Sequence, residues 1–280
     1  MLLPAHTILQ SRGTLLDLSR PVVMGILNAT PNSFYNKGQD SDINGLLCIA
    51  EKMLKEGASI LDVGGASTKP GEAIIDTDIE LKRVLPVIEA INRHFPDAWL
   101  SIDTYHSRVA VEAFNAGISI INDISAGRFD KKMLQVVSAL KVPYIAMHIQ
   151  GTPETMQIDP RYNDVGKEVR EYLQNAITRC EASGIHDIII DPGFGFGKTT
   201  AHNFSLLKSL HTLRILGRPV LAGISRKSMI CKALKVSPEH ALNGTTALHM
   251  VALQQGENIL RVHDVKEAIE VIELFKWLEK

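Results

Sequence analysis

A single-domain (β/α)8 TIM barrel is the fold class this sequence predicts, and three observations predict it. Short, almost continuously apolar runs recur eight times, each followed by a longer stretch. Runs of that kind suit parallel strands covered on both faces. Several intervening stretches stop at a glycine just before the next apolar run, at Gly57, Gly117, Gly184, Gly217 and Gly256; glycine suits the left-handed cap that ends a helix. Eight such units occupy about 250 residues, the usual length of a closed barrel. The rival doubly wound sheet usually has fewer strands and a G-x-G-x-x-G turn opening a helix, which this chain lacks.

In chain order, "HTILQSRGTLLDL" within residues 1–18 predicts an N-terminal β-hairpin turning near Arg12-Gly13, placed as a plug under the barrel. Strands are expected within residues 21–28, 58–65, 98–104, 118–125, 143–149, 186–193, 218–225 and 258–265. Amphipathic patterns at 43–57 and 79–95 predict the first two helices. Residues 1–280 read as one domain, without a low-complexity linker. The loops at 29–41 and 66–77, rich in Gly, Pro, Asn and Ser, are expected to be mobile active-site lids.

Composition excludes several classes. Thirty basic against thirty-one acidic side chains leave a formal charge of −1, no field to draw in nucleic acid. Three distant cysteines form neither a disulfide framework nor a CxxC zinc site. "MLLPAHTILQ" lacks a basic start followed by a long apolar run, and no stretch reaches the ~18 apolar residues of a membrane span. A soluble cytoplasmic protein is expected.

The run "DPGFGFGKTT" (191–200) raises the question of a nucleotide-binding P-loop. That loop requires G-x-x-x-x-G-K-[ST]. Counting back from Gly197-Lys198-Thr199, the first glycine falls on Pro192, and Gly193 is one residue too close. The match fails, and Asp191, a charge ending an apolar strand, remains to be explained.

Polar residues gather at the strand ends: Asn28, Asp62, Asp103, Asn122, Asp191, Arg226 with Lys227, and Arg261 with His263. A lone Asp after a strand is usually a cap or turn former. Asp123 and His148 alternate away from Asn122 and Met147 and read as structural; Asp264 reads as a helix start. The repetition around the barrel is what that bland account handles badly, because unpaired charges are costly in an apolar mouth. Asp103, Asn122 and Asp191 offer acceptors to a flat, N–H-rich ligand, as a carboxylate does to a guanidine-like edge. Arg226, Lys227, Arg261 and His263 offer donors to an anion, and Asn28 an oxygen to Mg²⁺.

The motifs "MGILNATPNSF", "ILDVGGASTKPG", "SIDTYHSRVA", "IINDISAG", "MHIQGTPETMQ", "IIIDPGFGFGKTTAHN", "PVLAGISRKSMI" and "ILRVHDV" run from residue 24 to 265. Together and in this order they resemble the dihydropteroate synthase family. The resemblance implies a transferase of folate biosynthesis, cytoplasmic, homodimeric and a sulfonamide target. It would condense 6-hydroxymethyl-7,8-dihydropterin diphosphate with 4-aminobenzoate to give 7,8-dihydropteroate and diphosphate. By the same resemblance Asp103, Asn122, Met147, Asp191, Phe196, Gly223, Lys227 and Arg261 bind the pterin. Asn28, Thr68, Arg261 and His263 hold the diphosphate, Asn28 through Mg²⁺. Phe34, Lys69, Pro70, Arg226 and Ser228 border the aminobenzoate. Asp103, Asp191, Lys227 and Arg261 carry the catalysis.

Two loops depart from the family's usual pattern. Asn32 stands where T-P-D-S-F has its Asp, and Ala66 and Lys69 stand where E-S-T-R-P-G has Glu and Arg. These changes touch the aminobenzoate side. Two alternatives follow: a pterin-binding methyltransferase, which leaves "SRKS" and "STKPG" unexplained, and a catalytically weak pterin-binding homologue, which the altered loops would favour.

Overall fold

The computed structural model describes residues 7–30, 43–66, 71 and 75–280. Strands β1 (Ile8–Ser11) and β2 (Thr14–Asp17) pair antiparallel around Arg12-Gly13. Both turn residues have positive φ, 49° and 79°, the primed turn that matches strand twist. Arg12 stacks on Phe114 and donates to its carbonyl at 3.0 Å, while the Gln10 N–H donates to Asp187 Oδ2 at 3.0 Å. Leu9 and Leu18 are fully buried with side chains of the barrel floor. The expected plug is therefore present.

Eight parallel strands follow, each leading toward a helix. They are β3 (Val22–Asn28), β4 (Ile60–Gly64), β5 (Trp99–Asp103), β6 (Ile120–Asp123), β7 (Tyr144–Met147), β8 (Ile188–Asp191), β9 (Leu221–Ala222) and β10 (Ile259–Val262). Their order is β8-β7-β6-β5-β4-β3-β10-β9, and an Ile190–Val220 bridge closes the ring. Among the described residues the covering helices are α1 (Ile43–Lys55), α2 (Thr77–His94), α3 (Ser107–Ala116), α4 (Met133–Leu140), α5 (Val165–Ala182), α6 (Thr200–Lys208), α7 (Ser228–Leu234), α8 (Leu242–Gln254) and α9 (Val265–Leu278). All five predicted stop glycines have positive φ, from 66° to 125°. No helix among the described residues is long and apolar enough to cross a membrane.

Strand β9 is shorter than the run at 218–225 suggested. Pro219 has no N–H for the ladder, though its carbonyl accepts from Ile190 N–H at 2.9 Å. Beyond Ala222 the chain leaves the sheet for a turn in which Lys227 N–H donates to Ile224 O at 3.1 Å, with Arg226 at φ 55°. That early exit brings Lys227 back over the barrel mouth.

Two-residue periodicity separates two interiors. Outward-facing strand residues such as Val23, Leu61, Ile102, Ile121, Ala146, Ile190 and Leu260 join the main core under the helices. Inward-facing residues form a second cluster, with Met24, Ile60, Trp99, Ile120, Ile145, Ile189, Leu221 and Ile259 as its floor. Two positions further along, the same faces carry Ile26, Asp62, Ser101, Asn122, Met147, Asp191, Gly223 and Arg261. The barrel thus changes from apolar to largely polar within one inward step, at the end where such barrels keep their chemistry.

Candidate active site

Asp62 is inward-facing because it lies two residues beyond Ile60 on β4, and it is fully buried. Its Oδ2 accepts from Arg261 Nε at 2.6 Å and from Asn122 Nδ2 at 3.0 Å. Arg261 also donates from Nη2 to Asp103 Oδ2 at 2.7 Å. Asp103 and Asn122 are register partners on β5 and β6. Four strands thus place two carboxylates, an amide and a guanidinium in one connected network. Because the Asn122 amide nitrogen is turned to Asp62, its oxygen is left as an acceptor. Burial pushes the Asp103 carboxyl up to about 7, against the pull of Arg261 and helped by the neighbouring Asp62. Burial opposes the charge on Arg261, but Asp62 and Asp103 outweigh it and raise its pKa.

Asp191 ends β8 and its Oδ1 accepts from Gly193 N–H at 2.7 Å. Burial raises its pKa, and the Lys227 charge is the largest opposing influence. Lys227 is drawn down to about 8 by burial, against Asp191. Its ammonium donates to Phe194 O and stands 4.9 Å from the centre of the Phe196 ring, a cation–π distance. A Cβ on Gly223 would lie 3.5 Å from Lys227 Nζ, so the bare backbone there leaves space beside the ammonium. Met147 belongs to an apolar cluster with Tyr105, Ile124, Ile149 and Met156, and Phe196 packs against it. The mouth therefore has an apolar wall facing its ionic rim.

His263 follows β10. Ser225 Oγ accepts from the His263 backbone N–H at 3.2 Å and lies 3.0 Å from its Nδ1. The Ser225 hydroxyl thus holds both the backbone and the ring of His263. Burial and Arg261 draw the imidazole pKa down to about 4, so at neutral pH the ring is an uncharged donor. Asn28 is exposed at the end of β3. Its Oδ1 and Asp103 Oδ2 each lie 3.9 Å from where a Cβ on Gly64 would sit.

One predicted residue is turned away from the network. Arg226 makes a bidentate pair with Asp264, Nε to Oδ2 at 2.8 Å and Nη2 to Oδ1 at 2.7 Å. Its Nη1 donates to the Pro238 and Glu239 carbonyls. The structure therefore turns the Arg226 guanidinium onto the α7–α8 connection and does not bring it to the ionic network. Ser228 is exposed at the start of α7. Asn32, Phe34, Thr68, Lys69 and Pro70 lie outside the described residues, as does most of each predicted lid.

The sequence matches the family profile described as "Pterin binding enzyme" over residues 24–263. It is 45% identical to the dihydropteroate synthase of Escherichia coli K12, over 94% of this chain and 93% of that one. The chain belongs to the dihydropteroate synthase family. Among solved structures, the Yersinia pestis dihydropteroate synthase in a sulfonamide drug complex superposes with a TM-score of 0.92. It is 42% identical and the match covers 97% of this chain and 98% of that one. The Xanthomonas albilineans dihydropteroate synthase in complex with 7,8-dihydropteroate gives 0.88 at 37% identity, covering 97% and 98%.

Within this dihydropteroate synthase fold, the predicted Asp103, Asn122, Asp191, Lys227 and Arg261 meet over one mouth, with Met147, Phe196 and Gly223 along it. Asp62 was visible as a strand-end acid but had no assigned role; its two-residue spacing from Ile60 was the available signal. Ser225, which contacts both the backbone and the ring of His263, carried no sequence signal. Asp123 and Asp264 are structural as expected: Asp123 accepts from Tyr144 Oη at 2.7 Å and from its own turn, and Asp264 pairs with Arg226. Among the described residues no group of three or more His, Cys, Asp or Glu could hold a metal.

Proposed function

We propose that this chain works as a dihydropteroate synthase whose pterin site is the Asp62–Asp103–Asn122–Asp191–Lys227–Arg261 network. The observation that carries the reading is the pairing of Arg261 with Asp103 beside Asn122: acceptors for an aminated heterocycle and a fixed cation share one mouth. Asp103, Asn122 and Asp191 accept from the pterin N–H groups. Lys227 donates to its acceptor edge, and Phe196 and Met147 cover its faces beside Gly223. Arg261 and neutral His263 donate to the diphosphate, with Thr68. Ser228 borders the aminobenzoate carboxylate with Phe34, Lys69 and Pro70, and Arg226 holds the segment that presents Ser228. The loops at 29–41 and 66–77 close over the pair of substrates.

The reaction is displacement at the pterin methylene. The C–O bond to the diphosphate breaks, its electron pair leaving with the diphosphate. The aminobenzoate amine then forms the C–N bond and releases a proton. Asp103 and Asp191 favour the cation that develops on the ring, while Arg261 offsets charge on the leaving group. No side-chain nucleophile is required, and holding both reactants in one cleft supplies much of the acceleration.

Mg²⁺ fits the donor set in a limited way. Asn28 offers one exposed hard oxygen near Asp103, and a Mg²⁺ that keeps waters and binds phosphate needs few protein ligands. When bound it would neutralise diphosphate charge, with Asn28 as its protein ligand. A cytoplasmic homodimer is part of the same reading. Diphosphate release measured with and without 4-aminobenzoate tests the activity: release that depends on the amine is expected. Pterin binding with no release would instead assign the chain to the weak binders, and methyl transfer from methyltetrahydrofolate to the methyltransferases.

A further inference from the structure

Lys198 has only 2% of its surface exposed, and nothing in the reaction above uses it. Its ammonium lies 2.9 Å from His148 Nδ1 and donates to Gly193 O at 2.8 Å and to Phe196 O at 3.1 Å. Burial draws the Lys198 pKa well down, with Asp191 opposing, and these three polar contacts surround the amine. His148 is itself buried, with the Tyr172 ring edge-on at 4.7 Å. Its backbone N–H donates to Asp191 O at 3.0 Å.

The two carbonyls that Lys198 holds bracket the loop carrying Phe196. That loop runs hard against the segment after β7: a Cβ on Gly193 would fall 1.9 Å from His148 O, and one on Gly197 2.6 Å from Gln150 O. On its other side Lys227 takes the Phe194 carbonyl. One short loop is therefore gripped by two lysine side chains, Lys227 facing the mouth and Lys198 behind. Burial of a charge is costly unless it is fully hydrogen-bonded. If the position served only to fill space, an apolar side chain would do so without that cost. What the lysine amine adds is direction: it fixes the Gly193 and Phe196 carbonyls relative to His148, and so the Phe196 ring relative to Asp191.

We propose that Lys198, with His148 as its buried acceptor, is a positioning residue for the pterin, holding the 193–197 loop so that Phe196 and Asp191 together grip the ring. This rests on the pterin-site reading above. It answers the P-loop question, since the lysine of the apparent Gly-Lys-Thr motif faces inward onto its own loop and not toward a nucleotide.

The test is calorimetric binding of the pterin diphosphate, with thermal midpoints and steady-state constants, for Lys198→Met, His148→Leu and His148→Asn. Lys198→Met and His148→Leu are expected to weaken pterin binding about tenfold or more, the loss of a charged hydrogen bond. The aminobenzoate KM should stay within about twofold and kcat at saturation within about threefold, because the loop touches the pterin alone. His148→Asn, which can restore an acceptor near Nδ1, should recover most of the affinity. Unchanged pterin affinity in a folded Lys198→Met overturns the inference alone. So does an equal loss for both substrates, or a His148→Asn as weak as His148→Leu. If Lys198→Met does not fold, the two His148 variants decide. Failure of the unmodified chain to bind the pterin diphosphate overturns the functional reading and this inference with it.

Discussion

Arg261 and Asp62 face each other across the barrel mouth, Nε to Oδ2 at 2.6 Å, and the same carboxylate oxygen accepts from Asn122. One buried acid thus orients both the amide and the cation of the network proposed to hold the pterin diphosphate. Asp62→Ala should raise the KM for the pterin diphosphate about tenfold to a hundredfold, the scale of a lost charged hydrogen bond plus a freed amide. The aminobenzoate KM should change little. Steady-state kinetics with each substrate varied in turn checks this; an equal rise in both would remove Asp62 from the pterin side.

The pH dependence of kcat/KM for the pterin should be bell-shaped and narrow. As pH falls through about 7, Asp103 takes a proton and stops accepting from the ring. As pH rises through about 8, Lys227 loses its proton and with it a donor. His263, drawn down to about 4, stays neutral through this window and adds no limb. Since kcat/KM reports the free enzyme, Asp103→Asn should remove the acidic limb, and Lys227→Arg should move the alkaline limb up by more than about one pH unit.

Most of this architecture could be read from the sequence because both of its periodicities are written in side-chain chemistry. Apolar runs marked every strand, and glycines at positive φ marked helix ends such as Gly117 and Gly184. The polar residues two steps beyond the floor marked the mouth. Three things were not readable. Arg226 looked like a site cation, but its pairing with Asp264, thirty-eight residues away, depends on β9 and β10 lying side by side. Ser225 and His148 act through partners distant in sequence, His263 and Lys198, which only the folded chain brings together. Lys198 looked like part of a phosphate motif, and only the turn back of its own loop shows which groups its amine meets.

Glu80 gives a stability test away from the mouth. It is completely buried, and among the described residues no hydrogen bond of good geometry reaches its carboxylate, although the Thr104 hydroxyl lies close enough to favour its charge. The His106 ring lies 3.8 Å away. Burial raises its pKa from 4.5 to about 7, with the Thr104 hydroxyl and Arg83 opposing. Between those values the folded state holds a proton that the unfolded chain has released, so stability falls as pH rises from 4.5 through 7. Glu80→Gln keeps the uncharged shape and should remove that slope. It should leave stability at pH 4 nearly unchanged and raise it at pH 8 by about 2–3 kcal/mol. Denaturant midpoints at the two pH values decide it.

Asn32 stands where the family usually has Asp. On the proposed reading, a negative charge at this position would favour the cation that develops on the pterin. Asn32→Asp is then expected to raise kcat about threefold or more, measured by diphosphate release at saturating substrates; an unchanged or lower rate removes Asn32 from that role.

Gly193 and Gly195 separate close approach from backbone strain, since both have positive φ, 67° and 85°. A Cβ on Gly193 would meet the His148 carbonyl oxygen at 1.9 Å, and a backbone atom cannot step aside as a side chain can. A Cβ on Gly195 would first meet Lys227 Cδ at 3.4 Å, an ordinary contact. Gly195→Ala should therefore cost only the left-handed penalty of about 1–2 kcal/mol, with pterin affinity reduced modestly through Lys227. Gly193→Ala carries the same penalty and must also separate the 193–197 loop from β7, for a total of about 3 kcal/mol or more. That separation withdraws the acceptor that Lys198 holds and shifts Phe196 off the ring, so pterin binding should fail even where the barrel stays folded. Urea midpoints compared with pterin affinity for the two variants test this. Equal costs would mean that backbone conformation alone, and not the His148 contact, requires glycine at 193.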